Sequence, residues 1–489
     1  MTVNQIFYKQ YSITLILVVV SLMFYSSFAY DLIRTDYIKL LGLYFGLFYL
    51  FYSLIKRASG NLKLFTYVAF LFRAVFILSV PNLSQDFYRF IWDGRLILEG
   101  LNPYLYTVDS LISSNQISFA QAQDLYEGMG QLNASHYSNY PPLNQLCFVI
   151  AGLFAGKSII GSVVVLRLLI IAADFGTLYY GRKLLKLLYI EESKIFWYIL
   201  NPFIIIELTG NLHFEGVMIF FLVWSIYLLF KGKWYWSAII FALSVSIKLI
   251  PLIFLPLLYQ WFKNEHHFAK NIKPFLSSGA TIRTNFEQKK GNGSIKKLLI
   301  YYLIVAMVSA ILFLPFMSTD FFTNYAQTIG LWFEKFEFNA SIYYIAREIG
   351  YWIYGYNQIA FLGKFFAACT ILFVAYYSYI KKMHSTIDFL TAFLLVLSFY
   401  YFTSTTIHPW YVATLLFISL FTNYKFPLIW SLVIVLSYLA YLNLNTSDKS
   451  ENLAIIALEY IIVYGALLWD ILKQRKHTEF QVSIQRKNQ

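Results

Sequence analysis

Apolar runs of about twenty residues, broken by short polar interruptions, recur along the whole chain. YSITLILVVVSLMFYSSFAY, Tyr11 to Tyr30, is one, and Leu298 to Pro315 is another. A helix crosses ~30 Å of hydrocarbon in ~20 residues, so the pattern predicts about fourteen spanning helices if some are short. The run at Tyr11 follows a weakly basic start and lacks a small-residue cleavage pattern, so it reads as a retained span. Two apolar stretches fit no crossing. Leu143 to Phe154 is too short, and crossing there would put Arg182 and Lys183 on the wrong side; Ser341 to Tyr354 is short and carries Arg347 and Glu348. Both predict helices lying on the membrane surface. The expected fold class is an all-α polytopic membrane protein.

Composition agrees: 59% of the 489 residues are hydrophobic and 13% charged, about half the charged share of a soluble protein. The net charge of +13 sits in loops, which marks membrane orientation and argues against a nucleic-acid partner. Lys56/Arg57/Lys63, Arg182/Lys183/Lys186, Lys231/Lys233, Lys263 to Lys297, Lys381/Lys382 and Lys473 to Lys487 are assigned to the cytoplasm. Pro81 to Pro142 holds six acids against two arginines and is assigned to the opposite face.

The organisation that follows is N-terminal spans over 1–80, a first large outer loop over 81–160 and core spans over 161–262. A basic inner loop occupies 263–297, C-terminal spans with a second outer loop (316–356) occupy 298–472, and a basic tail covers 473–489. Cys147 and Cys369, in apolar surroundings without CxxC, read as buried structural thiols. The sequence has no Walker loop, GxGxxG after a strand, HExxH or GxSxG.

Candidate chemistry gathers at the outer face. In SQDFYRFIWDGRLILEGLNPY, Ser84 to Tyr104, helical spacing puts Phe87, Phe90, Ile91, Leu98 and Leu101 on one face and Asp86, Arg89 and Asp93 on the other, with Gly100 and Pro103 as the stop. This is an amphipathic helix on the membrane surface; its three charges are either a site or a self-neutralised ladder. ELTGNLHFEG places Glu207, Asn211, His213 and Glu215 around an outer turn, where ionisable groups are costly and mark function, or else cap a helix. Arg167 and Asp174 share a helix face and are expected to pair. Lys248, ahead of Pro251 and Pro256, either sits at a broken helix that offers a cation to a ligand or snorkels to headgroups. His408 lies beside Trp410 and Tyr411 in TIHPWYV; an interfacial aromatic belt accounts for the aromatics but not for the histidine.

These segments resemble the GT-C superfamily, polytopic glycosyltransferases that use polyprenyl-phosphate-linked sugars, and among them the bacterial mannosyltransferase-like members. The matching pieces, in order, are DFYRFIWDGRLILEGLNPY, NYPPLNQL, RLLIIAAD, NPFIIIELTGNLHFEG, SIKLIPLIFLP, EFNASIYYI and IHPWY. The spans before Pro81 look like an extension beyond the minimal family plan.

The resemblance implies a GT-C-like bundle with outer-face amphipathic helices in a bacterial inner membrane, or with its site facing the ER lumen if the source is eukaryotic. It implies a hexosyltransferase, with mannose the first candidate. The partners would be a polyprenyl-phosphate sugar donor, a glycan or lipid-linked acceptor, and the bilayer. It implies Asp86 as general base, with inversion at the anomeric carbon and no general acid, because phosphate is a stable leaving group. Arg89, Lys248, Arg347 and His408 become candidate phosphate contacts, and His213 and Glu215 candidates for sugar hydroxyls. Asp93, Glu207, Asn211, Asn339 and Trp410 complete the substrate-binding candidates. No Asp-x-Asp is present. A divalent ion, Mg2+ or Mn2+, would need Asp86 with Asp93 or Glu215 acting through waters. A transporter or flippase for lipid-linked sugars, and an O-antigen-type ligase or polymerase, are the competing readings.

Overall fold

A computed structural model describes residues 3–57, 60–115, 117, 119–264, 292–445 and 451–487; most of the basic inner loop at 263–297 therefore lies outside the described residues. Over these the chain is helical, and its one isolated β-bridge joins Phe338 to Thr406. α1 (Val3–Asp31) and α2 (Tyr37–Arg57) pair, and α3 (Leu62–Ala74) leads to α4 (Asp86–Leu98), α5 (Val108–Ser113), α6 (Ala122–Ala134) and α7 (Pro142–Ala155). After α8 (Ile159–Leu187) the chain runs through Pro202–Gly210 into α9 (Glu215–Phe230), bent by 113° at the break. α10 (Trp234–Ile247) ends at Lys248 and continues as a 3₁₀ turn, Ile250–Phe254. The remaining longer helices are α11 (Asn292–Phe313), α12 (Thr319–Glu334), α13 (Ile342–Tyr354), α14 (Ile359–Ala375), α15 (Thr386–Thr403), α16 (Val412–Ser419), α17 (Phe426–Val433) and α18 (Leu453–Lys487).

Among the described residues, seven helices are long and apolar enough to cross a membrane, or eight if the bent pair is one span, and four shorter apolar helices accompany them. Their burial sorts them. The α15 window is 67% buried against 17% for α11 and for α14, so α15 runs through the interior while α11 and α14 show apolar side chains to the surroundings. A surface of that kind is stable only in lipid. Leu143 to Phe154 and Ser341 to Tyr354 are the helices expected, as α7 and α13. On α13, Ile345, Ile349, Trp352 and Ile353 are exposed, as a helix half sunk in an interface requires.

Buried charge is hydrogen-bonded, but not always as the spacing suggests. Asp174 takes Arg73 Nε at 2.7 Å and not Arg167. Arg167 instead donates to the carbonyls of Ile77, Ser79, Thr209 and Gly210. Those four carbonyls terminate irregular backbone next to the site, and a guanidinium has enough donors to satisfy them all. Cys147 is buried and Cys369 half-buried, both free thiols.

α4 also departs from expectation. Its polar face does not lie on headgroups, because α6 and α7 fold over it and Arg89, Asp93 and Arg95 are buried. The approach of α7 depends on Gly94, where a Cβ would sit 2.2 Å from the Phe148 carbonyl oxygen; Phe90 stacks on Phe148 at 4.6 Å beside it. The stop at Gly100 is as expected. With φ +80 it lets its own N–H reach Ile97 and that of Leu101 reach Leu96, closing the last turn. The segment 316–324 docks on the loop after α4 through Asn102 Nδ2 to the Phe316 carbonyl (2.9 Å) and Asn324 Nδ2 to the Tyr104 carbonyl (3.0 Å).

Candidate active site

A cavity of about 710 Å³ opens where α4, the loop after α6, the break at Lys248, α14 and the segment 404–411 meet. Asp86, Arg89, Lys248, His408 and Trp410, widely separated in sequence, all line it. Asp86 is the first residue of α4 and half-buried. Burial pushes its carboxyl up to about 6, and Glu215 adds to the rise, while Lys248 and a hydrogen bond from Asn133 oppose it. A carboxylate tuned toward neutrality is what a general base needs.

Arg89 is committed to the protein. Nε binds Asp93 Oδ1 at 2.8 Å and Nη1 reaches the carbonyls of Asn133 and His136. The other Asp93 oxygen accepts from Ser138 Oγ (2.6 Å) and Gln145 Nε2 (2.9 Å). The ladder is thus an Arg89–Asp93 pair that holds the loop 133–145 over α4, and Asp86 stands apart from it. Lys248 ends α10 in extended backbone (φ −148, ψ 142) and pairs with Glu215 Oε1 at 2.7 Å. Lys248 thus stands at a helix break on the cavity wall.

The four polar residues of ELTGNLHFEG do not line the cavity; they support residues that do. Glu207 is fixed by the Tyr438 hydroxyl (2.9 Å to each oxygen), Asn211 Oδ1 accepts from the Leu83 N–H (3.1 Å), and Glu215 holds Lys248. His213 and His408 both stack on the Trp410 indole, with centroids 3.5 and 4.6 Å away. Burial, with Lys248 nearby, lowers His408 to about 3, so it is neutral.

Asn339 and Arg347 are not brought to the cavity. Asn339, at φ +47, donates its N–H to Glu451 and its Nδ2 to Glu459, and accepts from the Tyr460 hydroxyl. Arg347 pairs with Glu337 and Glu348. Asn339 nevertheless acts on the site, because its neighbour Phe338 bridges to Thr405 and Ile407 (3.1 and 2.8 Å) and stacks near His408.

Sequence reasoning missed Arg34, Asn133, His136, Tyr140, Tyr400 and Tyr411, all of which line the cavity. NYPPLNQL and IHPWY were the available signals for two of them, Tyr140 and Tyr411; the others follow only from packing. Among the described residues no three His, Cys, Asp or Glu side chains converge as a metal site. The carboxylates that would join Asp86 around Mg2+ or Mn2+ are engaged elsewhere, Asp93 by Arg89, Ser138 and Gln145 and Glu215 by Lys248. This donor set does not fit a divalent ion.

Residues 24–263 match the MptA_B family, whose model describes the N-terminal domain of alpha-(1->6)-mannopyranosyltransferase. Alpha-(1->6)-mannopyranosyltransferase A of Mycobacterium tuberculosis (strain ATCC 25618 / H37Rv) is 23% identical over 242 residues, 49% of this chain and 42% of that protein. The chain thus aligns with less than half the length of that relative. No solved structure matches. The N-terminal half is mannosyltransferase-like, as the motifs there implied. The match begins at residue 24, near the end of α1, so α2 and α3 fall within it. The cavity wall beyond residue 263, from Ile329 to Tyr411, comes from outside the match.

Proposed function

We propose that this protein is an inverting GT-C-type glycosyltransferase that moves mannose from a polyprenyl phosphate to a lipid-linked or glycan acceptor. It would work at the non-cytoplasmic face of a bacterial inner membrane, in a helical bundle whose seven or eight long apolar helices cross the bilayer. One observation carries the reading: a single cavity joins a carboxylate and a cation to an apolar wall that runs out to the membrane-facing surface. Asp86 and Lys248 provide the polar end. Ile250, Ile253, Ala367 and Ile371 provide the wall, and Ile371 is 68% exposed on the flank of α14. A ligand with a phosphate head and a long hydrocarbon tail matches both ends, and a water-soluble nucleotide sugar does not.

In the proposed step Asp86 accepts the proton of an acceptor hydroxyl as its oxygen forms a bond to the anomeric carbon. The bond from that carbon to the phosphate oxygen breaks, and its electron pair leaves with polyprenyl phosphate. Lys248 faces the charge that develops there. No acid is needed, because the leaving group is already an anion, unlike the alcohol released by a glycosidase. The acid-rich stretch around Asp86 and the cation clusters at the opposite ends of the spans favour the outer face.

The test is transfer by the purified protein in nanodiscs, supplied with polyprenyl-phosphate-mannose or polyprenyl-phosphate-glucose and cell-envelope acceptors. Transfer from the mannose donor is expected. Folded protein that binds neither donor would overturn the transferase reading and favour a transporter.

A further inference from the structure

As the bond from the anomeric carbon to phosphate stretches, positive charge spreads over that carbon and the ring oxygen of the sugar. Asp86 is the only carboxylate among the described residues that line the cavity, and it is neutralised as it takes the acceptor's proton. The acids nearby are engaged, Asp93 by Arg89, Ser138 and Gln145 and Glu215 by Lys248. Arg34, Arg89 and Lys248 on the same wall are cations and repel the charge. A neutral group that attracts a cation is the face of an aromatic ring.

Tyr140 offers such a face. It lines the cavity half-buried, and the Lys248 ammonium stands over its ring, 6.0 Å from the centroid. Lys248 marks where the phosphate is held, and the anomeric carbon is one oxygen away from that phosphate, so the transferred sugar lies before the same face. The ring is held in place. Phe90 and Phe148 pack at right angles to it, centroids 5.1 and 5.5 Å away. The Tyr140 carbonyl accepts from the Tyr104 hydroxyl, that of Asn139 accepts from the Tyr325 hydroxyl (3.3 Å), and Pro141 and Pro142 stiffen the chain that follows. Burial, with Asp86 beside it, holds the phenol well above its ordinary range, so the ring meets the sugar uncharged. Of the other cavity rings, Trp410, Tyr411 and Phe336 are stacked on neighbouring rings.

We propose that Tyr140 is a catalytic residue whose ring face stabilises the positive charge that develops on the transferred sugar. The assignment rests on the transferase reading above and adds a third acting group to Asp86 and Lys248. Its hydroxyl is then dispensable, and its electron-rich ring is not.

The test uses the full chain in nanodiscs with polyprenyl-phosphate-mannose and excess cell-envelope acceptors, read as the single-turnover rate of transfer, with donor Kd measured in parallel. Tyr140→Phe should stay near the wild-type rate. Tyr140→Leu should lose about 30-fold, the worth of a desolvated contact between a cation and a ring face. Phenylalanines carrying one, two and three ring fluorines at this position should lose rate stepwise, because each fluorine drains negative charge from the face while hardly changing its shape. Donor Kd should not move in any of them. A flat fluorine series would overturn the proposal, and that series decides the matter if the Leu variant does not fold. So would a Phe variant as slow as Leu, since the hydroxyl would then be the acting group. A donor Kd that weakens in step with the rate would overturn it too, since the ring would then only pack against the bound sugar. Wild-type transfer beside a flat series removes Tyr140 alone, whereas folded wild-type protein that binds no donor removes the transferase reading and this role with it.

Discussion

Asp86 carries a carboxyl that burial lifts to about 6 against an opposing Lys248. A general base works deprotonated, so kcat/KM should rise as pH climbs through about 6 and level off above it. Because Lys248 lowers that value, Lys248→Gln should move the acid limb to higher pH as well as weaken donor binding. A limb that stays in place in this variant would show that Lys248 does not set the charge of Asp86. Trp410, with His213 and His408 both stacked against its indole, should tolerate Phe better than Ala in transfer assays, because an aromatic ring there supports two others. At this scale the sequence showed the residues that are expensive where they stand: Asp86, Arg89, Lys248 and His408 are polar groups in apolar neighbourhoods. It could not show which of them face the ligand. Arg89 and Asp93 look the same as Asp86 on a helical wheel, and only the loop 133–145 closing over them shows that they pair, with Arg89 still on the cavity wall. Arg34 left no mark because a charge in a polar turn is unremarkable until packing brings the turn to a cavity.

α4 and α7 meet at Gly94, and a methyl group there would press on the Phe148 carbonyl. Gly94→Ala should lower the thermal midpoint, with a cost of about 1–3 kcal/mol, and depress transfer because α4 begins at Asp86. Gly42→Ala, in α2 with open space around it, should leave the midpoint unchanged or raise it, since alanine is the better helix former by ~1 kcal/mol. Equal effects of the two substitutions would mean that the α4–α7 contact does not matter. The elements themselves were mostly legible. Length marked α7 and α13 as short helices, and Gly100 fixed the end of α4. The environment of α4 was not legible, since a polar face reads the same whether it meets headgroups or the backbone carbonyls of a covering loop. The breaks at Asn211 and Lys248 were signalled by polar residues and prolines, whereas the partners of Glu207 and Asn211 lie far along the chain.

At the scale of the whole molecule, the cavity is assembled from the family-matched N-terminal half and from α14, α15 and the segment 404–411 beyond it. Residues that position His408, such as Phe338 and its anchor Asn339, belong to that second half. The charge pattern assigns Ser110, exposed in the first outer loop, to the non-cytoplasmic side. A cysteine placed there after replacement of Cys147 and Cys369 should react with an impermeant maleimide in spheroplasts, and labelling only after the inner membrane is opened would reverse the topology. The central claim is that Asp86 activates the acceptor hydroxyl for attack on a lipid-linked sugar. The most direct measurement is transfer of mannose from polyprenyl-phosphate-mannose by wild-type and Asp86→Asn protein in nanodiscs, with donor binding followed in parallel. The account predicts a loss of about 10²–10⁴-fold in transfer with donor affinity retained. An Asp86→Asn protein that still turns over near the wild-type rate would contradict it.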